Sequence, residues 1–235
     1  MPLFTILTLF PEALEPYLDV GVLGLARRRG LVQTRLIDFR DWTRNRHRSV
    51  DDRPFGGGPG MVLRPEPVVE SIEWIEREWG PHRKLALCPS GATFSQPMAQ
   101  SFVEEPRLLL LCGRYEGFDE RIFELHQIER VSIGNFVLSG GELPALCIVD
   151  AVTRLVPGAL GDERSAQEDS FQDGETLDHP HYTRPRTFRG LAVPEVLMGG
   201  DHAQIDAWRR KQAQARTQAR PTPGSHPTQP NNGAF

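Results

Sequence analysis

The chain has 235 residues, of which 39% are hydrophobic and 25% charged, and its formal net charge is −4. This length predicts one large domain and a small one, and the composition excludes a largely disordered protein. Each apolar run is much shorter than the roughly 18 residues of a membrane helix, so a membrane-spanning protein is not expected. The N-terminus lacks the basic segment of a signal peptide, so a signal peptide is not expected either.

Strands are predicted where short runs are apolar or alternate between apolar and polar residues, and helices where apolar residues recur every three or four positions. The predicted strands are 3–10, 32–39, 84–91, 107–117 and 129–144. Several of these segments end in a glycine-bearing turn. The predicted helices are 12–29, 67–79, 96–105, 119–126, 143–155 and 201–216. This alternation indicates an α/β fold with a mostly parallel sheet and helices on its faces.

Glycine-bearing turns follow three of the predicted strands, at 89–91, 113–117 and 134–141. In a parallel sheet, ligands bind outside the carboxyl ends of the strands, so we expect these turns to form one site. The turns carry few cationic side chains, and the chain has no P-loop, Rossmann glycine fingerprint or G-x-S-x-G motif. A neutral or zwitterionic ligand with a flat ring, such as an adenosine moiety, suits such loops better than a polyphosphate.

Positive charge is concentrated in two segments, although the whole chain is acidic. Eight arginines (27, 28, 29, 35, 40, 44, 46 and 48) stand against two aspartates in 25–48, and five basic residues against two acids in 201–220. Such segments bind nucleic-acid phosphates or form solvated surfaces, and the charge pattern alone favours the second interpretation.

The odd cysteine count, without CxxC spacing, predicts buried thiols at Cys88, Cys112 and Cys147 and a reducing cytoplasm. Besides the cysteines, the sequence contains one motif that could bind a metal ion, His179-Pro180-His181. Without a nearby cysteine or an HExxH context, loop packing or substrate contact is favoured there over zinc.

Five segments together resemble the bacterial tRNA (guanine-N1)-methyltransferases, a family of the knotted SPOUT class that acts on the guanosine 3′-adjacent to the anticodon, position 37. The segments, in order, are GGGPGM (56–61), CGRYEGFDER (112–121), SIGNFVLSGGELP (132–144), EDSF (168–171) and LDHPHYTRP (177–185). Each segment is a weak signal, but the ordered set is specific, and the similarity extends over about 4–216.

The resemblance implies a trefoil-knotted S-adenosylmethionine-binding domain at 1–160, an exception to the rule against knots. It also implies a linker and active-site loop at 161–190 and a small helical tRNA-binding domain at 191–220. The composition of 221–235 predicts a disordered tail. The resemblance further implies a homodimer whose active site is shared between the subunits, and a cytoplasmic location agrees with the inference from the cysteines.

The resemblance also assigns site residues. Asp169 is matched to the general base and Arg154 to the residue near the guanine oxygen, and Glu116 is linked to the family's magnesium dependence. Substrate contacts are implied for Ser165, His181, Tyr182 and Arg184. The implied cofactor-binding residues are Leu87, Pro89, Ser90, Gly91, Gly113, Tyr115, Glu116, Gly117, Ile133, Gly134, Val137, Leu138, Gly140, Gly141 and Pro144.

The chain departs from the family pattern at Asn135 and Phe136, where the family usually has an aspartate and a tyrosine. Two further aromatic residues, Phe55 and Phe118, replace a usual tyrosine and a branched aliphatic residue. Two other functions compete with this one: a non-catalytic RNA-binding protein, and a knotted methyltransferase with another RNA target. The first would have aromatic stacking platforms on a sheet face, and the second would lack the EDSF and HPHYTRP segments.

Overall fold

A computed structural model describes residues 1–161 and 169–221 of the chain. The chain divides into two compact units, Met1–Ala166 and Gln167–Phe235, and the described part of the predicted 161–190 linker beyond Gly161 belongs to the second. The predicted tail lies outside the described residues, apart from Pro221.

The first unit is built on a five-stranded parallel sheet. Its strands are β1 (Leu3–Thr8), β2 (Gln33–Asp38), β5 (Arg83–Thr93), β6 (Arg107–Cys112) and β7 (Ile128–Ser132), and they lie in the order β2-β1-β6-β5-β7 across the sheet. A separate two-stranded antiparallel ribbon consists of β3 (Asp51–Asp52) and β4 (Val62–Leu63). The prediction of an α/β fold with a parallel sheet is therefore confirmed.

Helices cover both faces of this sheet. They are α1 (Pro11–Leu18), α2 (Gly21–Arg28), α3 (Pro65–Trp79), α4 (Gln96–Val103), α5 (Arg121–Leu125) and α6 (Glu142–Leu155). Successive residues of the central strand β6 point to opposite faces, so Leu108 and Leu110 join one core cluster while Leu109 and Leu111 join the other. Burial on both faces explains why β6 is a continuous apolar run.

The predicted single helix over 12–29 is wrong, because the structure has two short helices there. The first ends at Leu18, and the second begins at Gly21, whose φ of +61° lies in the left-handed region that favours glycine. The chain reverses tightly at this point: a Cβ on Gly24 would stand 2.1 Å from the carbonyl oxygen of Asp19. Regular helical spacing on both sides conceals this break in the sequence.

The second unit is less regular. It contains a small hairpin of β8 (Thr187–Phe188) and β9 (Leu191–Ala192), a short 3₁₀ helix (Glu195–Met198) and the helix α7 (His202–Gln218). Asp201 caps α7 by accepting a hydrogen bond from the backbone N–H of Gln204 at 3.1 Å. Across the described residues, no helix has the length and apolar character that a membrane crossing requires.

The prediction of three buried thiols is wrong for two cysteines. All three are free, but only Cys112 is buried, whereas Cys88 is half-buried and Cys147 is exposed. Burial raises the pKa of the Cys112 thiol well above its usual range. Cys147 lies in the apolar sequence of α6 but faces away from its core, which local composition alone does not reveal.

Candidate active site

Loops at the carboxyl ends of β6 and β7, together with a loop that interrupts β5, surround one cavity of about 410 Å³. Its volume lies within the range of small-molecule binding sites. The structure thus brings the glycine-bearing turns to one place, as the strand–turn–helix pattern predicted.

Thirteen of the fifteen residues predicted to bind the cofactor line this cavity. They are Leu87, Pro89, Ser90, Gly113, Tyr115, Glu116, Gly117, Ile133, Gly134, Val137, Leu138, Gly140 and Pro144. The other two, Gly91 and Gly141, permit close backbone approach. A Cβ on Gly91 would stand 2.3 Å from the backbone nitrogen of Val131, and one on Gly141 2.7 Å from the Cα of Cys112. Cofactor binding by these fifteen residues stays a prediction.

The first loop is an interruption within β5. Leu87 and Ala92 both stand opposite Val131 of β7, so the four residues between them leave the sheet and project toward the cavity. Three of the four, Cys88, Pro89 and Ser90, line it. The strand resumes beyond the loop, which fixes both of its ends.

Backbone hydrogen bonds join the second loop to its neighbours. The N–H of Gly141 donates to the carbonyl of Gly113 at 3.0 Å, which connects the loops after β6 and β7. On its other side, the N–H of Glu116 donates to the carbonyl of Met61 at 2.9 Å, at the end of the glycine-rich 56–61 segment. The glycine-rich segments of the sequence are therefore joined through backbone contacts.

The cationic groups that line the cavity are paired with acids. Arg130 forms an ion pair with Glu120 and stacks 3.9 Å from the ring centroid of Phe123. Arg114 pairs with Glu142 at 3.0 Å. This pairing reduces the positive potential that a polyphosphate would need, and the expectation of a neutral or zwitterionic ligand stays a prediction.

A buried carboxylate that the sequence argument missed anchors the wall of the cavity. Glu142, the first residue of α6, is 6% exposed. One oxygen accepts a hydrogen bond from the Thr8 hydroxyl at 2.8 Å, and the other accepts from Nη2 of Arg114 at 3.0 Å. The carboxylate also lies at the positive end of the α6 helix dipole. A glutamate directly after Gly140-Gly141 at a predicted helix start was the available signal.

Other cavity residues were also absent from the prediction. They are Cys88, Arg114, Phe118, Glu120, Phe123, Arg130, Val131, Ser132, Phe136 and Ser139. Of the two residues that depart from the family pattern in the third loop, Phe136 lines the cavity, whereas Asn135 is exposed and is not part of its lining. Phe118 packs against Phe123 with ring centroids 6.4 Å apart.

The two predicted catalytic residues lie in different units. Arg154 is half-buried in the last turn of α6, in the first unit. Asp169 is half-buried at the start of the described part of the second unit. The roles of both stay predictions.

Three of the four predicted substrate contacts are described, and all are exposed: His181, Tyr182 and Arg184. Ser165 lies outside the described residues. The ring centroid of Tyr182 is 6.3 Å from that of Trp208 on α7, so the LDHPHYTRP segment packs on the C-terminal helix. The backbone carbonyl of Asp178 reinforces this packing by accepting from Nη1 of Arg216 at 2.7 Å.

A carboxylate joins the two histidines of the His179-Pro180-His181 motif. Asp178, His179 and His181 form the group of His, Cys, Asp or Glu side chains that could hold a metal ion among the described residues, and Glu116 does not belong to such a group. Burial raises the pKa of Asp178, but hydrogen bonds from His181 and from the backbone of His179 outweigh it, and the pKa lies below its usual range.

Acids within the protein partly neutralise the first arginine-rich segment. Arg27 pairs with Glu15 and Asp19 at 2.9 and 2.7 Å. Arg44 pairs with Glu70 at 2.8 Å. The segment therefore offers less net charge to RNA than its composition indicates, while Arg29 and Arg46 are exposed.

Comparisons with known proteins agree on one family. The family model of tRNA (Guanine-1)-methyltransferase TrmD matches residues 3–223. The tRNA (guanine-N(1)-)-methyltransferase of Pelotomaculum thermopropionicum is 49% identical over 214 residues, which are 90% of this chain and 85% of that protein. The Bacillus subtilis enzyme of that name is 48% identical over 215 residues, or 91% of this chain and 88% of its own.

A third relative is longer. The tRNA (guanine-N(1)-)-methyltransferase of Nitratidesulfovibrio vulgaris is 52% identical over 207 residues, which are 88% of this chain, but the chain spans only 48% of that protein's length. The family match extends over both units and includes the three loops around the cavity. The chain therefore belongs to the tRNA (Guanine-1)-methyltransferase TrmD family.

Proposed function

We propose that this protein transfers a methyl group from S-adenosylmethionine to N1 of the guanosine 3′-adjacent to the anticodon, position 37 of tRNA. The observation that carries the proposal is the cavity formed by the three glycine-bearing loops, one interrupting β5 and the others following β6 and β7. Family membership supports a tRNA substrate and methyl transfer as the reaction.

The cavity fits S-adenosylmethionine in size and chemistry. Its volume of about 410 Å³ accommodates a nucleoside with an amino-acid side arm. Glycine backbone at Gly113, Gly134 and Gly140 lets polar peptide groups approach a flat ring closely, and Leu87, Val137 and Leu138 supply apolar contact. When bound, S-adenosylmethionine supplies an electrophilic methyl group on a sulfonium centre.

Guanine N1 bears a proton and is a poor nucleophile until that proton is removed. The protein therefore has to supply a base, a positive group near O6, and alignment of the two reactants. We assign proton removal from N1 to the carboxylate of Asp169 and stabilisation of the negative charge on O6 to the guanidinium of Arg154. As N1 binds the methyl carbon, its proton passes to Asp169, and the departing thioether needs no acid.

Contacts to the RNA are proposed for both units. His181, Tyr182 and Arg184 of the second unit lie on an exposed segment, and Ser165 is carried over from the family alone. Exposed arginines such as Arg29 and Arg46, together with the 209–211 cluster of α7, would bind phosphates. Their replacement is expected to flatten the salt dependence of tRNA binding while S-adenosylmethionine affinity is retained.

We further propose that the first unit is a trefoil knot and that the protein is a homodimer with a shared active site. The hydrogen bond between Gly141 and Gly113 supports the knot, because it joins the 112–117 and 132–144 segments, from which the chain threads through a loop in the family. Large apolar side chains exposed around the cavity support the dimer, among them Val137 (82% exposed) and Leu143 (62%). Glu116 lines the cavity, and its link to the family's magnesium dependence stays a prediction.

The function is tested by transfer of labelled methyl from S-adenosylmethionine to a tRNA transcript with guanosine at position 37 and to a matched transcript with adenosine there. We expect label only in the guanosine transcript, together with a primer-extension stop at that nucleotide. Equal labelling of both transcripts, or ribose methylation, would assign the enzyme another target. Binding of tRNA without transfer would indicate a non-catalytic protein.

The shared site is tested by mixing an Asp169→Ala chain with an Arg154→Ala chain. If the two residues of one site come from different subunits, mixed dimers contain one intact site and regain part of the activity. The wild-type chain mixed with each variant serves as the reference. Verified mixed dimers without any rescue would contradict the shared site.

A further inference from the structure

The side chains of Asp178, His179 and His181 converge on one point of the second unit. Nε2 of His181 lies 2.7 Å from Oδ2 of Asp178, and Nε2 of His179 lies 3.6 Å from Oδ1 of the same carboxylate. The two imidazole rings are 4.5 Å apart between centroids. One potential ligand atom from each residue lies within 4.8 Å of the others.

These separations match those of donors on a single transition-metal ion. With metal–nitrogen bonds of about 2.1 Å, two donors on a tetrahedral ion are about 3.4 Å apart. The nitrogen–oxygen distances of 2.7 and 3.6 Å, to the two oxygens of Asp178, lie on either side of that value, and the candidate ligand atoms all lie within 4.8 Å of one another, so rotation of the side chains can bring the three donors onto one ion. The exposed His181 side chain is free of a packed core and can adjust.

The backbone holds this group in place. The N–H of Asp178 donates to the hydroxyl of Ser170 at 2.9 Å, and its carbonyl accepts from Arg216 at 2.7 Å. Pro180 fixes φ between the two histidines. Less of the binding energy is therefore spent on ordering the donors than in a flexible peptide.

The donor set selects the class of metal. Two imidazole nitrogens and one carboxylate oxygen suit Zn²⁺, Co²⁺ or Ni²⁺, whereas Mg²⁺ prefers an all-oxygen octahedral set. This distinguishes the group from any magnesium site of the reaction.

We propose that Asp178, His179 and His181 form a transition-metal site that takes Zn²⁺ or a similar N/O-binding divalent ion. Three protein donors leave the remaining coordination positions to water. Binding replaces the hydrogen bond between His181 and Asp178 with two bonds to the metal, and the proton on Nε2 of His181 moves to Nδ1 of the ring through water or is released to solvent.

The site has a consequence for catalysis that rests on the proposed function. His181 is a proposed RNA contact, and a metal that holds its imidazole withdraws it from that role. Zn²⁺ is therefore expected to slow methyl transfer by weakening tRNA binding, while S-adenosylmethionine binding in the first unit stays unchanged.

The test begins with metal binding by the full-length protein, which requires no activity. Zn²⁺ titration by calorimetry is compared between wild type, His179→Gln and Asp178→Asn, with His202→Gln as the matched control in the same unit. We expect each ligand variant to raise the Kd at least about tenfold and the control to leave it unchanged. Bound Co²⁺ should show ligand-field absorption without the thiolate charge-transfer band, which excludes the three cysteines as the ligands.

Equal Zn²⁺ affinity in all four proteins, or a thiolate band with Co²⁺, would overturn the site. Methyl transfer is then measured with and without Zn²⁺ in wild type and His179→Gln. The inhibition should be lost in the variant, whose metal-free rate should match wild type. A protein that binds Zn²⁺ as expected but is not inhibited would retain the metal site and refute its link to RNA binding. A protein without transferase activity would refute the proposed function alone.

Discussion

The two units of this protein are stabilised in different ways. The first has a parallel sheet between two apolar clusters, and even its Glu142 carboxylate is buried and hydrogen-bonded. In the second unit, none of the described residues 169–221 is buried, and polar contacts such as that between Thr217 and Leu177 connect its segments. Packing determines the cavity, while local hydrogen bonds determine the arrangement of the segment that carries Asp169.

The two units are therefore suited to two different tasks, ligand binding in a cavity of constant shape and adaptation to an RNA substrate. A cavity lined by loop backbone remains constant in shape because the sheet beneath it is close-packed. A segment without a buried core can rearrange around an RNA substrate at a lower cost than the close-packed first unit could. Substitutions in the second unit should therefore affect catalysis more than stability, and the reverse should hold for buried polar groups of the first.

The strongest test of this separation is Asp169→Asn, which keeps the shape of the side chain but removes its basicity. The single-turnover rate of methyl transfer should fall by about 10²–10⁴, the usual contribution of a general base. Affinity for S-adenosylmethionine and thermal stability should hardly change. Glu175→Gln, an exposed acid of the same segment, is the control. A near-wild-type rate below neutral pH would exclude Asp169 as the base.

The next largest effect is expected for Arg154→Ala. If its guanidinium stabilises negative charge on O6, the transition state should lose about 2.7–4 kcal/mol, as for an oxyanion donor. Combined with Asp169→Asn, the loss should be smaller than the sum, because both groups act on one transition state. Fully additive losses in single-turnover measurements would contradict this pairing.

Glu142→Ala should affect stability more than catalysis, because it removes a buried hydrogen-bonding and ion-pair partner from the first unit. The Thr8 hydroxyl loses its acceptor and Arg114 its counter-ion, which should lower the free energy of unfolding by about 2–3 kcal/mol. Affinity for S-adenosylmethionine should fall too, because Arg114 lines the cavity. Glu70→Ala breaks the exposed pair with Arg44 and should cost less than about 1 kcal/mol. Denaturant unfolding compares the two, and equal losses would refute the special role of Glu142.

A smaller effect is expected from pH, through His82. Burial lowers the pKa of its imidazole, which lies 3.1 Å from the Thr5 hydroxyl and 2.7 Å from the carbonyl of Gly80. The unfolded chain binds this proton more readily, so the free energy of unfolding should fall as the pH drops below about 6.5. His82→Gln should flatten this dependence, whereas the exposed His47→Gln should not. An unchanged slope in His82→Gln would assign the effect to other groups.

The smallest effect is expected from deleting 221–235, which lie outside the described residues apart from Pro221. The segment is rich in proline and polar residues and lacks apolar anchors, so thermal stability and turnover should be nearly unchanged. A large loss of either quantity would show that the tail docks on the protein or its RNA.

The sequence was most informative where a physical rule is local. Apolar runs that end in glycine located the three loops, because only glycine permits approaches such as that of Gly91 to Val131. Predictions from local sequence patterns were wrong where contacts between distant segments determine the structure. Examples are the exposure of Cys147 and the break between α1 and α2. Asp169 could be chosen among neighbouring acids only through the family resemblance, because a carboxylate in a polar segment has no distinguishing local pattern.

The interrupted strand β5 also has a consequence for the design of variants. Since Leu87 and Ala92 share the partner Val131, both ends of the 88–91 loop are fixed by the sheet regardless of the loop's content. Residues added or exchanged at its tip would alter the lining of the cavity while leaving the strand register intact. Libraries confined to this tip, with Gly91 retained, are therefore a direct route to a transferase that accepts bulkier synthetic donors in place of the natural one.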